Sequence, residues 1–314
     1  MYEDECHPDY AIKQRDRYHE TERAYHFNKK YRNQVYLQRN VPASPPILKL
    51  KAHSDEEVIK KFTRKQKEIM NYPEPIYVHE TTSTNSYLSQ LCNQQQPDEL
   101  TSVWTDFQTA GRGQRGNSWE SEQGANLLFS FVVFPTFLEV RRQFILSQIT
   151  ALALYEVLSL YTDSITIKWP NDIYWKEKKI CGTLIENDLT GIHLSRSISG
   201  TGVNLNQQTF VSDAPNPISL FQITGKRYDR KEILDQIMQR IAGYYDLLRQ
   251  GKSDLIATRY FSALYRREGF YLYKDAAGIF KARIYDIDPI GKLILQDEQG
   301  QLREYMFKEV SYVL

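Results

Sequence analysis

Residues 126–134, NLLFSFVVF, form a run too continuously apolar for a strand with one face in water. Such a run is predicted to lie centrally in a sheet. The segments around it follow an α/β pattern. Strands are predicted over 76–79 and 103–107, with a short helix over 84–95 between them, capped by Ser83 or Thr84. A Gly-rich loop covers 109–124. Beyond the apolar run a helix is predicted over 142–160, where Phe144, Ile145, Ile149, Leu152, Ala153 and Val157 give a wide buried face. Strands follow around 165–169, 179–186 and 193–200, then helices over 230–250 and 253–263. After Arg266 the rhythm changes to short strands at 269–273, 279–286, 292–296, 302–307 and 310–313. Gly278, Gly291 and Gly300 punctuate them, which predicts a compact five-stranded barrel.

The 314 residues leave room for two domains, and the first 69 are of a different kind from the rest. They carry 15 Lys and Arg against 11 Asp and Glu, a net +4, whereas residues 70–314 carry 25 against 28, a net −3. Leu, Ile, Val and Phe number 12 of the 69, below the ~20% associated with chains that cannot build a core. Pro42, Pro45 and Pro46 break any helix there, and Ser54-Asp55-Glu56-Glu57 opens one basic helix to about Glu68. A poorly structured basic extension over 1–73 is expected, with Met70 as the natural start. No apolar run approaches the ~18–20 residues that span a bilayer, and the opening MYEDE is unlike a signal peptide. Cys6, Cys92 and Cys181 are odd in number and far apart, which supports neither a disulfide framework nor a CxxC zinc site. Cys181 reads as a buried small hydrophobe. A cytoplasmic, reduced protein is expected.

Three constellations carry chemistry. In Gln108-Thr109-Ala110-Gly111-Arg112-Gly113-Gln114-Arg115-Gly116, three glycines let a loop wrap closely around a ligand. Arg112 and Arg115 add fixed positive charge suited to a carboxylate or phosphate. The segment lacks both the GK[ST] ending of a Walker A loop and the GxGxxG spacing of a dinucleotide fold, and a solvated basic loop is the plainer alternative. In Lys168-Trp169-Pro170-Asn171-Asp172, a lysine ends a buried strand before a rigid turn. Asn171 and Asp172 either bind a polar group or cation there, or hydrogen-bond their own backbone as turn formers. Glycines on an apolar strand in Gly200-Thr201-Gly202-Val203-Asn204 mark a close backbone approach or an edge bulge.

Together, Ser83-Thr84-Asn85, GRGQRG at 111–116, KWPND at 168–172 and GTGVNLN at 200–206 resemble biotin–protein ligases in order and spacing, of the type without a DNA-binding domain. The resemblance covers about 74–314. It implies an α+β fold: a class II synthetase-like biotin/lipoate ligase catalytic domain with a mixed sheet over 74–263, then a small SH3-like β-barrel over 264–314. It also implies ATP- and Mg2+-dependent activation of biotin to biotinyl-5'-AMP with release of pyrophosphate. The acyl group then passes to a lysine of a biotin carboxyl carrier protein of acetyl-CoA carboxylase or a related carboxylase. By the resemblance, Ser83, Thr84, Asn85, Gln108, Gly111, Arg112, Lys168, Gly182, Gly200 and Gly202 bind biotin. Arg115, Trp119, Asn171 and Asn204 bind ATP or the adenylate, and Lys168, Arg112 and Arg115 are catalytic. No metal ligands are assigned.

Many members of that family have Arg where this chain has Gln114, and Arg115 is the adjacent candidate to compensate. Lipoate–protein ligases share the fold but usually carry a GGG-type motif and a following His-Asp, neither of which occurs here. A biotin-responsive DNA-binding repressor needs about three helical segments near the N-terminus, where residues 1–69 offer one, so no nucleic-acid partner is expected. A non-catalytic biotin-binding module would keep the pocket and have no use for Lys168. No membrane partner is expected, and a sheet edge is available for a homodimer.

Overall fold

The computed structural model describes residues 72–114, 117–211 and 216–313. Residues 1–71 of the basic extension, with its helix to Glu68 and the Met70 start, and Arg115 lie outside the described residues. Tyr72, expected within the extension, is instead buried in the main core and donates to Asp235 O at 3.0 Å.

Seven strands form one mixed sheet: β1 (Ile76–Thr81), β2 (Ser102–Gln108), β3 (Leu127–Val133), β4 (Ile165–Lys168), β5 (Asp172–Trp175), β6 (Lys178–Thr190) and β7 (His193–Val203). Their spatial order is β1-β2-β3-β7-β6-β5-β4, with β1 parallel to β2 and every other pair antiparallel. The apolar run becomes β3, in the interior of the sheet with all seven residues buried. Its pleat sends Leu127, Phe129, Phe131 and Val133 into the main core. Val132 goes to a smaller cluster with Leu88, Val103 and Ile198.

Helix α1 (Thr84–Gln94), capped by the Ser83 side chain, packs on that second face. On the first face lie α2 (Phe144–Leu158), α4 (Arg230–Arg249) and α5 (Ser253–Ser262). Helix α2 departs from the expected single face, with 12 of its 15 residues buried, because α4, α5 and the sheet enclose it. It starts two residues later than expected, at Phe144, because Arg142 closes a separate 3-10 turn, Val140–Arg142. Two elements escaped the sequence pattern. Strand β5 is four residues long and pairs with β4 as a hairpin whose tip is the KWPND turn. Helix α3 (Leu220–Thr224) is a single turn held by a Ser219–Gln222 capping box.

The C-terminal segment forms five strands, β8 (Tyr271–Asp275), β9 (Gly278–Ile287), β10 (Leu293–Asp297), β11 (Leu302–Tyr305) and β12 (Ser311–Tyr312). They make an antiparallel sheet ordered β11-β10-β9-β8-β12. It joins the first layer at the KWPND turn, where the Trp169 indole N–H donates to Gly291 O at 3.0 Å. Gly291 has φ +96°, and a Cβ there would fall 2.7 Å from the Phe144 ring, so both backbone and contact require glycine.

Candidate active site

The parts converge on an open cleft of about 870 Å³ between the start of α1, the Gly-rich loop, the KWPND turn, the β6–β7 pair and the turn after β11. Ser83, Thr84 and Asn85 are buried at its floor. The Ser83 hydroxyl oxygen accepts the Ser86 N–H at 3.3 Å, which leaves its own proton for a ligand. Thr84 donates to Gln108 Oε1 twice, through its N–H at 2.8 Å and its hydroxyl at 3.1 Å. Ser130, the polar residue inside the apolar run, is fully buried on β3 with its Oγ 2.6 Å from both Thr84 Oγ1 and Asn85 Oδ1. The Asn85 amide donates to Glu186 Oε2 at 2.7 Å. The resulting pair is complementary: Thr84 has given its proton away and can only accept, and Ser83 can donate.

The Gly-rich loop folds back on itself, with Gly113 N–H donating to Asn117 O and Trp119 N–H to Gly111 O. Arg112 pairs with Glu186 at 3.0 Å, the carboxylate that also holds Asn85. Gln114 ties the loop to the KWPND turn and to β6, donating to Asn171 Oδ1 at 3.3 Å and Thr183 O at 3.4 Å. Asn171 is thereby engaged on both ends of its amide, since its Nδ2 donates to Thr183 O.

Gly182 and Gly202 face each other across the β6–β7 ladder. The Trp119 indole fills the space above them: a Cβ on Gly202 would lie 2.3 Å from the ring and one on Gly182 2.9 Å. Above Gly200 lies the Asn85 carboxamide, 2.0 Å from where a Cβ would be. The glycines expected to face biotin directly therefore face two other predicted site residues. Trp119 Nε1 is buried without a hydrogen-bond partner among the described residues, as is Asn204 Oδ1.

Lys168 ends β4 at the cleft wall, where its ammonium donates to the Tyr174 hydroxyl at 3.0 Å. It lies 4.6 Å from the ring centroid of Tyr174 and 5.1 Å from that of Tyr312. Burial lowers its pKa; Lys179 and Arg266 push the same way, and Asp172 opposes them. Among the described residues no carboxylate forms an ion pair with Lys168, because Asp172 pairs with Lys179 at 2.8 Å. Cys181 is fully buried, and burial pushes its thiol pKa far up, so it is inert as a nucleophile. No cluster of three or more His, Cys, Asp or Glu suited to a metal occurs among the described residues. No helix there is long and apolar enough to cross a membrane.

The structure thus gathers every described residue predicted for the site into one cleft except Gly111, which does not line it and instead pairs with Trp119 within the folded-back loop. Sequence reasoning missed Ser130, Glu186, Tyr174, Tyr312, Phe307 and Lys308. A serine in an apolar run is a visible signal, and Tyr174 lies just past the KWPND motif; the others come from strands and turns distant in sequence.

Residues 77–204 match the biotin/lipoate A/B protein ligase family. The chain is 29% identical over 240 residues to the bifunctional ligase/repressor BirA of Bacillus spizizenii, spanning 73% of this chain and 71% of that one. It is 32% identical over 171 residues to a biotin–[acetyl-CoA-carboxylase] ligase of Paracoccus denitrificans, spanning 52% of this chain and 69% of that one. It spans about half the length of the other bifunctional relatives it matches. Among solved structures, the biotin protein ligase of Aquifex aeolicus in complex with biotin and ATP aligns with TM-score 0.63 and 26% identity, over 76% of this chain and 98% of that one.

Proposed function

Since this chain belongs to the biotin–protein ligase family, we propose that its cleft joins biotin to ATP and passes the activated acyl group to a carrier lysine. One biotin carboxylate oxygen attacks the α-phosphorus, the bond to the β-phosphate bridging oxygen breaks, and pyrophosphate leaves. The carrier amine then attacks the acyl carbon; AMP departs, the amine loses a proton and an amide remains.

The observation that carries this reading is Lys168, a partly buried ammonium with no carboxylate ion-paired to it among the described residues, beside a donor–acceptor pair. Two anions, a carboxylate and a phosphate, repel as they meet, and a fixed cation at that junction stabilises the transition state more than the separated substrates. Ser83 as donor and Thr84 as acceptor match the C=O and N–H of a ureido ring. The dithiolane ring of lipoate offers neither group, which disfavours the lipoate alternative. Arg112 stands at the mouth, and Trp119 offers a flat apolar face to an adenine or a biotin ring. Asn171 ties the loop to the turn. Mg2+ would supply charge neutralisation on the ATP phosphates, and the orphaned Asn204 Oδ1 is an oxygen donor suited to it.

The acceptor is taken to be a biotin carboxyl carrier domain of acetyl-CoA carboxylase or a related carboxylase, and the C-terminal sheet an SH3-like barrel. A cytoplasmic location and a homodimer through a sheet edge complete the reading. Pyrophosphate release from ATP, with biotin and lipoate offered separately, tests it. Release with biotin is expected; a preference for lipoate reverses the assignment, and no release with either overturns it.

A further inference from the structure

Lys168 is held by two tyrosines in different ways. Tyr174, on the neighbouring strand β5, accepts a hydrogen bond from the ammonium at 3.0 Å, with its ring centroid 4.6 Å away. Tyr312 comes from β12, the last strand of the C-terminal sheet, and presents its ring face with the centroid 5.1 Å from the ammonium. Its own hydroxyl is buried and has no hydrogen-bond partner among the described residues. A hydroxyl that bonds nothing contributes nothing to Lys168, so what Tyr312 brings there is its ring. The ring is in turn fixed by Tyr265 and Tyr273, with centroids at 5.8 and 5.1 Å.

An ammonium drawn partly out of water is stabilised by an acceptor oxygen and by the negative face of an aromatic ring. The charged or titratable neighbours that act on Lys168 are Tyr174, Tyr312, Asp172, Lys179 and Arg266. Asp172 is engaged by Lys179, and Arg266 donates to Val313 O and lies over Tyr265. None of these replaces the two tyrosines.

We propose that Tyr174 and Tyr312 are positioning residues that fix the Lys168 ammonium at the reacting centre, Tyr174 through its hydroxyl and Tyr312 through its ring. The last strand of the C-terminal sheet is then part of the adenylation machinery. The proposal rests on the reading of Lys168 as the cation between carboxylate and phosphate.

The test compares Tyr174→Phe, Tyr312→Phe and Tyr312→Leu in the full chain. Pyrophosphate release is followed against pH, and the pKa of Lys168 is read directly by competitive acylation and peptide mass spectrometry. Tyr312→Phe is expected within twofold of wild type at every pH. Tyr174→Phe and Tyr312→Leu are expected to lose at least tenfold in kcat, with melting temperatures close to wild type. In Tyr174→Phe the alkaline limb and the Lys168 pKa both move down, because the cation has lost its acceptor in a dry site. A pure packing role predicts that both Phe variants are silent, and that result overturns the proposal. So does equal damage from Phe and Leu at 312, or a loss in Tyr174→Phe with an unmoved Lys168 pKa. A wild type that releases no pyrophosphate overturns the functional reading alone, since the acylation arm still reports on the tyrosines.

Discussion

At the scale of single residues, Lys168 sets function against stability. Its pKa is lowered chiefly by burial, so the charged form that the proposed reaction needs is the form the fold disfavours. Lys168→Ala is expected to lower kcat for pyrophosphate release by about 10²–10³, or ~2.7–4 kcal/mol of transition-state stabilisation. Activity in the wild type should fall as pH rises through the lowered pKa, earlier than the ordinary lysine value of 10.5 would give. Asp172 is the neighbour that raises this pKa, so Asp172→Asn should move the alkaline limb to lower pH. Between the folded and unfolded pKa values the unfolded chain binds more protons, so this lysine's contribution makes stability rise with pH in that window. Lys168→Met should accordingly melt above wild type while being inactive, as thermal unfolding would report. Ser130 runs the other way: Ser130→Ala orphans the buried Asn85 Oδ1, which costs ~1–3 kcal/mol. Denaturant unfolding should show that loss, together with a raised KM for biotin and an unchanged KM for ATP.

At the scale of elements, the β6–β7 ladder works as a seat. Gly182 and Gly202 are register partners, and their missing side chains admit the Trp119 indole. Alanine is ordinarily tolerated better than glycine in a strand, so backbone preference does not oppose Gly202→Ala. The expected cost is instead displacement of the indole, with kcat/KM for ATP down at least tenfold. Tryptophan emission should shift to longer wavelength, and a Trp119→Phe background should remove that shift.

The same elements explain what the sequence made legible. KWPND, GRGQRG and GTGVNLN are each contiguous in sequence, so their chemistry could be read locally. The alternation of β1, β2 and α1 was legible for the same reason, and β3 announced its burial by composition. Strand β5 was not, because four residues after a proline turn carry too little periodicity. Glu186 meets Arg112 across 74 residues and Tyr312 meets Lys168 from the far end of the chain. No spacing rule links such pairs; the sheet order and the C-terminal joint bring them together.

At the scale of the whole molecule, the C-terminal sheet closes one side of the cleft. Trp169 bridges to Gly291 O and packs edge-on against Phe307, and Phe307 and Lys308 line the cleft beside the KWPND turn. The cations around that cleft differ in how far they are neutralised. Arg112 is paired with Glu186 and Lys179 with Asp172, whereas Lys168 and Lys308 form no ion pair among the described residues. Lys308 is exposed, with φ +75°, a backbone conformation that a lysine rarely adopts without surroundings that enforce it. In the proposed reading, an ATP with its α-phosphate at Lys168 would extend its β- and γ-phosphates toward the mouth, where an exposed ammonium that is unpaired among the described residues is of most use. Lys308→Ala should therefore raise the KM for ATP severalfold and leave the KM for biotin unchanged. An exposed charge contributes at most ~1 kcal/mol, and salt screens it within a Debye length of about 10 Å at 0.1 M. The difference between wild type and variant should shrink accordingly between 50 and about 300 mM salt. Steady-state kinetics at both concentrations separates this from a carrier-docking role, which would move the KM for the acceptor protein instead.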